Sequence, residues 1–95
     1  MGPEVGDLLE GVTLSPNNSD RKSEWDLDTS EGVIVTAVDA RSPYGKKLAE
    51  GMVILEANRI EVNSIGELER ALRKGANSLF VNARGKRGYV VLRIP

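Results

Sequence analysis

The sequence predicts a small α+β domain, a twisted sheet of five to six short strands curled into a partial barrel with two helices. Three observations carry that prediction. The chain has 95 residues, enough for one domain with a real core but not for a catalytic domain beside a second one. Six short segments show strand patterning between turn residues. Two further segments open with helix-start signals and stop at glycine or at a change of pattern.

The elements follow in order. Residues Met1 to Asp7, with Gly2, Pro3 and Gly6, form a frayed lead-in, and the domain occupies residues 8–95. In LLEGVTLS, Val12 and Leu14 alternate with Thr13 and Ser15 as in a half-buried strand, which Pro16 ends. From Pro16 to Glu31 the run PNNSDRKSEWDLDTSE reads as a long polar loop. Gly32 to Asp39, GVIVTAVD, carries apolar residues on both faces, Val33, Val35 and Ala37 on one and Ile34, Thr36 and Val38 on the other. That pattern predicts a central strand.

Ser42 and Pro43 open a short helix over SPYGKKL, with serine as the cap and proline at the first helical position. Met52 to Val62 reads as two strands about a tight turn at Asn58-Arg59. Ser64 to Lys74 is the principal helix. Ser64 and Glu67 make a capping box, Ile65, Leu68, Ala71 and Leu72 fall at helical spacing, and Gly75 stops it. SLFVNAR and YVVLRI then flank a four-residue hairpin loop, Gly85-Lys86-Arg87-Gly88.

Composition excludes whole classes of function. The chain has no histidine and no cysteine, so a Ser-His-Asp or Cys-His nucleophile, a zinc, haem or iron-sulfur site and a disulfide framework are all excluded. No cofactor is implied. Thirteen Lys and Arg balance fourteen Asp and Glu for a net charge of −1, which argues against nucleic acid as the partner. Apolar runs such as Met52 to Leu55 are far too short to cross a bilayer, and the N-terminus has neither the basic nor the apolar region of a signal peptide. The abrupt start suggests a fragment of something longer.

The order LLEGVTLS, GVIVTAVDARSP, LAEGMVILEANRIEV, SIGELERAL and a closing hairpin resembles a bacterial PDZ domain. In such domains the strand order is circularly permuted, so that the last strand, here Tyr89 to Ile94, takes the place of the first strand in animal versions. The sequence is most similar to the second PDZ domain of periplasmic HtrA/Do serine proteases. The resemblance implies a non-catalytic module that binds extended or C-terminal peptide segments by β-strand addition, to regulate or feed the protease. Its implied partners are protein C-termini and other domains or subunits of the parent protease, in the periplasm, in protein quality control.

The resemblance also places a site. Leu9, Glu10, Gly11 and Val12 correspond to the loop whose amides receive a terminal carboxylate. Val12, Thr13 and Leu14 lie on the peptide-pairing strand, and Ile65, Glu69 and Leu72 on the groove wall. The family has an apolar residue where Glu10 stands, and Asp7 adds a second negative charge. Glu10, and the lack of a Lys or Arg upstream of it to steady a carboxylate, motivate an alternative reading, a structural docking module with a degenerate groove that mediates oligomer assembly.

Other features have plain explanations. Gly85 and Gly88 sit in a hairpin, outside any phosphate-binding motif, and the run from Asp26 lacks the Gly and Glu that a calcium loop needs at Glu31 and Ala37. Glu67 is absorbed by the capping box, which leaves acid–base catalysis by the remaining carboxylates unsupported. The basic clusters at Lys46-Lys47, Arg73-Lys74 and Arg84 to Arg87 read as solubilising faces. Trp25 is either an anchor packed back on the sheet, the preferred reading, or a protruding contact residue. Ile65 and Leu72 are equally readable as groove lining and as ordinary core.

Overall fold

The computed structural model describes Leu9 and residues 11–94; the lead-in over residues 1–7, Leu8, Glu10 and Pro95 lie outside the described residues. Strand β1 (Val12–Pro16) is followed by helix α1 (Ser19–Glu24), strands β2 (Val33–Val38), β3 (Val53–Ala57) and β4 (Ile60–Glu61), helix α2 (Ile65–Ala71), and strands β5 (Gly75–Ala83) and β6 (Lys86–Ile94). All pairings are antiparallel, in the order β1-β2-β3-β5-β6, with β4 hanging from β3 as a hairpin. Six strands and two helices are the α+β content the sequence predicts.

One apolar cluster packs on one side of the sheet. Leu9, Val12, Val33, Val35, Ile54, Val62, Leu68, Leu79 and Leu92 are all buried in it, with Tyr44 and Leu48 supplied by the connection after β2. Ile34 and Val53, paired across β2 and β3, are buried outside that cluster. The segment between β1 and β2 crosses their side of the sheet: Trp25 packs 3.6 Å from the position a Cβ on Gly51 would take, and Asn82 Nδ2 on β5 donates to Asp28 Oδ1 at 2.6 Å. Trp25 is therefore an anchor.

Four local expectations change. The segment after Pro16 is not all loop, because Asn18 caps α1, its side chain accepting the Arg21 N–H at 2.9 Å. No residue of α1 is buried, so it left no apolar periodicity to find. The turn begun by Ser42 keeps its cap, Tyr44 N–H to Ser42 Oγ at 3.1 Å, but closes only single turns through Gly45, Lys47 and Leu48 and never becomes a helix. Gly45, a poor helix former, sits in its middle. The two helices are thus α1 and α2, the first in a different place from the one expected.

The alternation of β2 resets at Thr36. Thr13 pairs with Ala37 but Leu14 pairs with Val35, so Thr36 is a bulge residue. Beyond it Val38 packs against the core and Ala37 is exposed, the reverse of a straight strand. The last hairpin turns on two residues, Arg84 (φ +54°) and Gly85 (φ +86°), not on four, and Lys86 to Gly88 already belong to β6.

The turn at Asn58 (φ +53°) and Arg59 (φ +70°) has the two left-handed residues of a type I′ hairpin. Asn58 suits its position, whereas arginine carries a steric cost there. Arg59→Gly is expected to raise stability by about 0.5–1 kcal/mol in urea melts; a loss of stability would show that the exposed Arg59 side chain contributes more than its backbone costs.

Candidate functional site

The loop before β1 is built on a buried side chain and a glycine. Leu9 is fully buried and its carbonyl accepts the Val12 N–H at 3.0 Å, closing a tight turn. Gly11 has φ +81°, and a Cβ on it would lie 2.8 Å from Ser42 Cβ and 3.2 Å from Asp39 Cβ. Its carbonyl accepts the Asp39 N–H at 2.7 Å. Asp39 in turn organises its own turn, accepting the Ser42 N–H on its carbonyl at 2.9 Å and the Arg41 N–H on Oδ1 at 2.8 Å. The loop is strapped to the chain just past β2.

Gly11→Ala combines positive φ with a clash against Ser42 and Asp39. It is expected to cost about 2–3 kcal/mol and to shift the amide resonances of residues 11–15 and 39–42 together. Unchanged shifts at residues 39–42 would contradict the strap.

Strand β1 pairs with β2 alone, so its other edge meets no described strand. The helix packed against it is α2. Val12 and Leu14 point inward, Val12 buried and Leu14 half-buried, while Thr13 is exposed and its carbonyl accepts the Thr36 hydroxyl at 3.2 Å. On α2, Ile65 is half-buried against the same cluster, and Glu69, one turn on, is half-buried. Leu72 is 8% exposed and lies within the core. Val12, Leu14, Ile65 and Leu72 are thus brought to one apolar cluster, Leu72 as a core residue and Leu14 and Ile65 at its margin.

Helix α2 is pinned at both ends. At its start Ser64 Oγ accepts the Glu67 N–H at 3.1 Å, as expected, but the Glu67 carboxylate accepts from Asn63 (2.7 Å), one residue before the cap. At its end Leu72 already has extended ψ, and the helix stops three residues before Lys74. The cause is Asn77. Its Oδ1 accepts the Arg73 N–H (2.9 Å) and its Nδ2 donates to the carbonyls of Arg73 (2.7 Å) and Gly75 (3.0 Å), while Asn58 Nδ2 donates to Asn77 Oδ1 (2.9 Å) and to Ala71 O (2.8 Å). The groups that would have continued the helix are captured by a fully buried amide.

Sequence reasoning missed the Asp39–Ser42 turn behind the loop and the Asn58–Asn77 latch. The available signals were the Asp-x-x-Ser spacing and an asparagine in an otherwise apolar strand, which needs partners if buried.

The architecture, an antiparallel sheet with a strand edge that meets no other described strand beside a short helix, is the PDZ fold. Among solved structures, the HtrA3 PDZ domain bound to a phage-derived ligand (FGRWV) is similar to this chain with a TM-score of 0.76 at 18% identity, over 90% of this chain and 82% of that one. The HtrA-type protease AlgW with a decapeptide is similar with a TM-score of 0.74 at 20% identity, over 88% of this chain, which spans 27% of the AlgW chain. No family model and no curated protein matches the sequence.

Proposed function

We propose that this chain is a non-catalytic peptide-binding PDZ module of an HtrA/Do-like serine protease. It takes an extended peptide, with a free C-terminus at the Leu9–Val12 loop, by strand addition to β1. The observation that carries this reading is the unpaired edge of β1 beside α2, with Leu14 and Ile65 half-buried at the margin of the core. An extended segment there satisfies the open backbone groups of β1, and its alternate side chains meet Leu14 and Ile65. The HtrA3 PDZ domain and AlgW, both similar in fold, were solved with peptides bound. The role in the parent protein is substrate capture or regulation of the protease in periplasmic quality control.

Titration of the isotope-labelled chain with peptides ending in an apolar residue is expected to shift the amides of Gly11 to Ser15 and of Ile65 to Leu72. The absence of shifts in both segments would overturn the proposal.

The docking-module reading is favoured by one feature, the acid at Glu10. A carboxylate a few ångströms from a terminal carboxylate costs about 1 kcal/mol at the surface, so Glu10→Leu is expected to strengthen C-terminal peptide binding roughly fivefold. If neither form binds, assembly rather than peptide capture is the function.

A further inference from the structure

The charges of this chain are segregated along its length. All fourteen acidic residues fall within residues 1–69, together with six basic ones, whereas residues 70–95 hold seven basic residues and no acid. Much of that positive charge lies on or beside β6, which pairs over nine register positions with β5 and with no other described strand. Its outward side chains run Arg87, Tyr89, Val91, Arg93. All four are exposed, Tyr89 at 68% and Val91 at 52%.

We propose that the free edge of β6 is a second strand-addition site, which takes an extended acidic segment of a partner protein with two carboxylates six residues apart and apolar side chains between them. Because strand side chains repeat every two residues, a strand laid along β6 sets alternate positions beside Arg87, Tyr89, Val91 and Arg93. The matching pattern is acid, apolar, apolar, acid at every second residue. The site is separate from the edge of β1 and does not rest on the reading of β1 as a peptide site.

Charge decides the occupant. A second copy paired antiparallel about Val90 would set Arg87 of one copy opposite Arg93 of the other, a like-charge arrangement that disfavours self-pairing. A polynucleotide would have to stack on the aromatic pair Phe80–Tyr89, whose centroids are 5.0 Å apart. Phe80 stands opposite Glu56, Glu56 opposite Glu61, and Asn82, on the same face of β5, holds Asp28, so three carboxylates border that face. A strand added outside β6 escapes the two on β3 and β4, and Asp28 is already engaged by the Asn82 amide. The added strand lies three strand spacings from β3, about 14 Å, beyond the screening length of about 8 Å at physiological ionic strength.

The test is an amide-shift titration of the labelled chain with the end-blocked peptide acetyl-Glu-Thr-Val-Thr-Val-Thr-Glu-amide, which offers no terminal carboxylate to the loop before β1. Shifts are expected along residues 86–94 and not along residues 11–15. Binding should weaken at least about tenfold in Arg87→Glu/Arg93→Glu, whose changed side chains are exposed and whose fold is checked by circular dichroism. No shift on β6, equal binding of a control peptide with Lys in place of both Glu, affinity retained by the double variant, or larger shifts with oligothymidylate centred on Phe80 and Tyr89 would each overturn the proposal.

Discussion

Replacing Asn77 by alanine is expected to destabilise the domain by about 3–5 kcal/mol, a large share of what a domain of this size has. Asn77 is 0% exposed and makes four hydrogen bonds, two received on Oδ1 and two given by Nδ2. Alanine removes all four, strands the Arg73 N–H and the carbonyls of Arg73 and Gly75 near the protein interior, and leaves a void where the amide was. The loss has a direction as well as a size. Asn58, whose Nδ2 also holds Ala71 O and whose Oδ1 accepts the Ser78 N–H at 3.0 Å, loses one partner and keeps two. The β3–β4 turn should therefore persist while the end of α2 loosens. Urea unfolding followed by circular dichroism measures the stability, and native-state hydrogen exchange should show protection lost first at Leu72 and Arg73. A loss below about 1 kcal/mol would mean that water replaces the amide without penalty.

Gly32→Ala is the second large effect, expected to lower the melting temperature by about 12–24 °C for a cost of about 3 kcal/mol. Gly32 has φ +88°, and a Cβ there would meet Ile54 O at 2.6 Å, Val53 Cγ1 at 2.8 Å and Leu55 Cδ2 at 3.1 Å. The nearest atom is backbone and cannot rotate away. Relief requires moving the start of β2 off β3, where Val33 faces Ile54, and with it the bonds Gly32 N–H to Asn63 Oδ1 (3.0 Å) and Asn17 N–H to Gly32 O (3.0 Å). Asn17 also clasps the far end of its loop, donating from Nδ2 to Thr29 O and Glu31 O, both at 2.9 Å. The damage should therefore spread into the α1 segment. A thermal melt within about 3 °C of the parent would show that the β2–β3 junction yields more easily than close packing allows.

How much of this could be read from the sequence depended on whether a segment's role was written in its hydrophobic period. The strands were legible because Val12 and Leu14, or Val33 to Val35, bury side chains at strand spacing, and α2 because Ser64, Leu68 and Ala71 combine a cap with a buried face. Helix α1 buries nothing, so only its Asn18 cap spoke for it, and caps also occur in turns. Boundaries set by distant partners were illegible. The end of α2 is fixed by Asn77 on the next strand, and the reset of β2 at Thr36 by its register with β1.

The candidate site was placed by resemblance and not by periodicity. Leu9, Gly11, Val12 and Leu14 were identified from one contiguous motif, and they share a loop and strand. Leu72 sits in the core because α2 ends just before it, a fact carried by residues five and more positions away.

The placement of Trp25 has a spectroscopic consequence. It is the chain's single tryptophan, it lies against Gly51 on the outer side of the sheet, and its indole Nε1 is buried with no hydrogen-bond partner. An indole shielded in this way emits at shorter wavelength than one in water, and unfolding moves the emission to the red. The native chain thus carries its own optical gauge of global stability, with no label added, and the Asn77→Ala and Gly32→Ala melts can be followed by its fluorescence. Because Trp25 belongs to neither β1 nor α2, the same fluorophore should change little when a peptide binds between them, so that a large change in its emission during such a titration signals unfolding or a contact on the outer face.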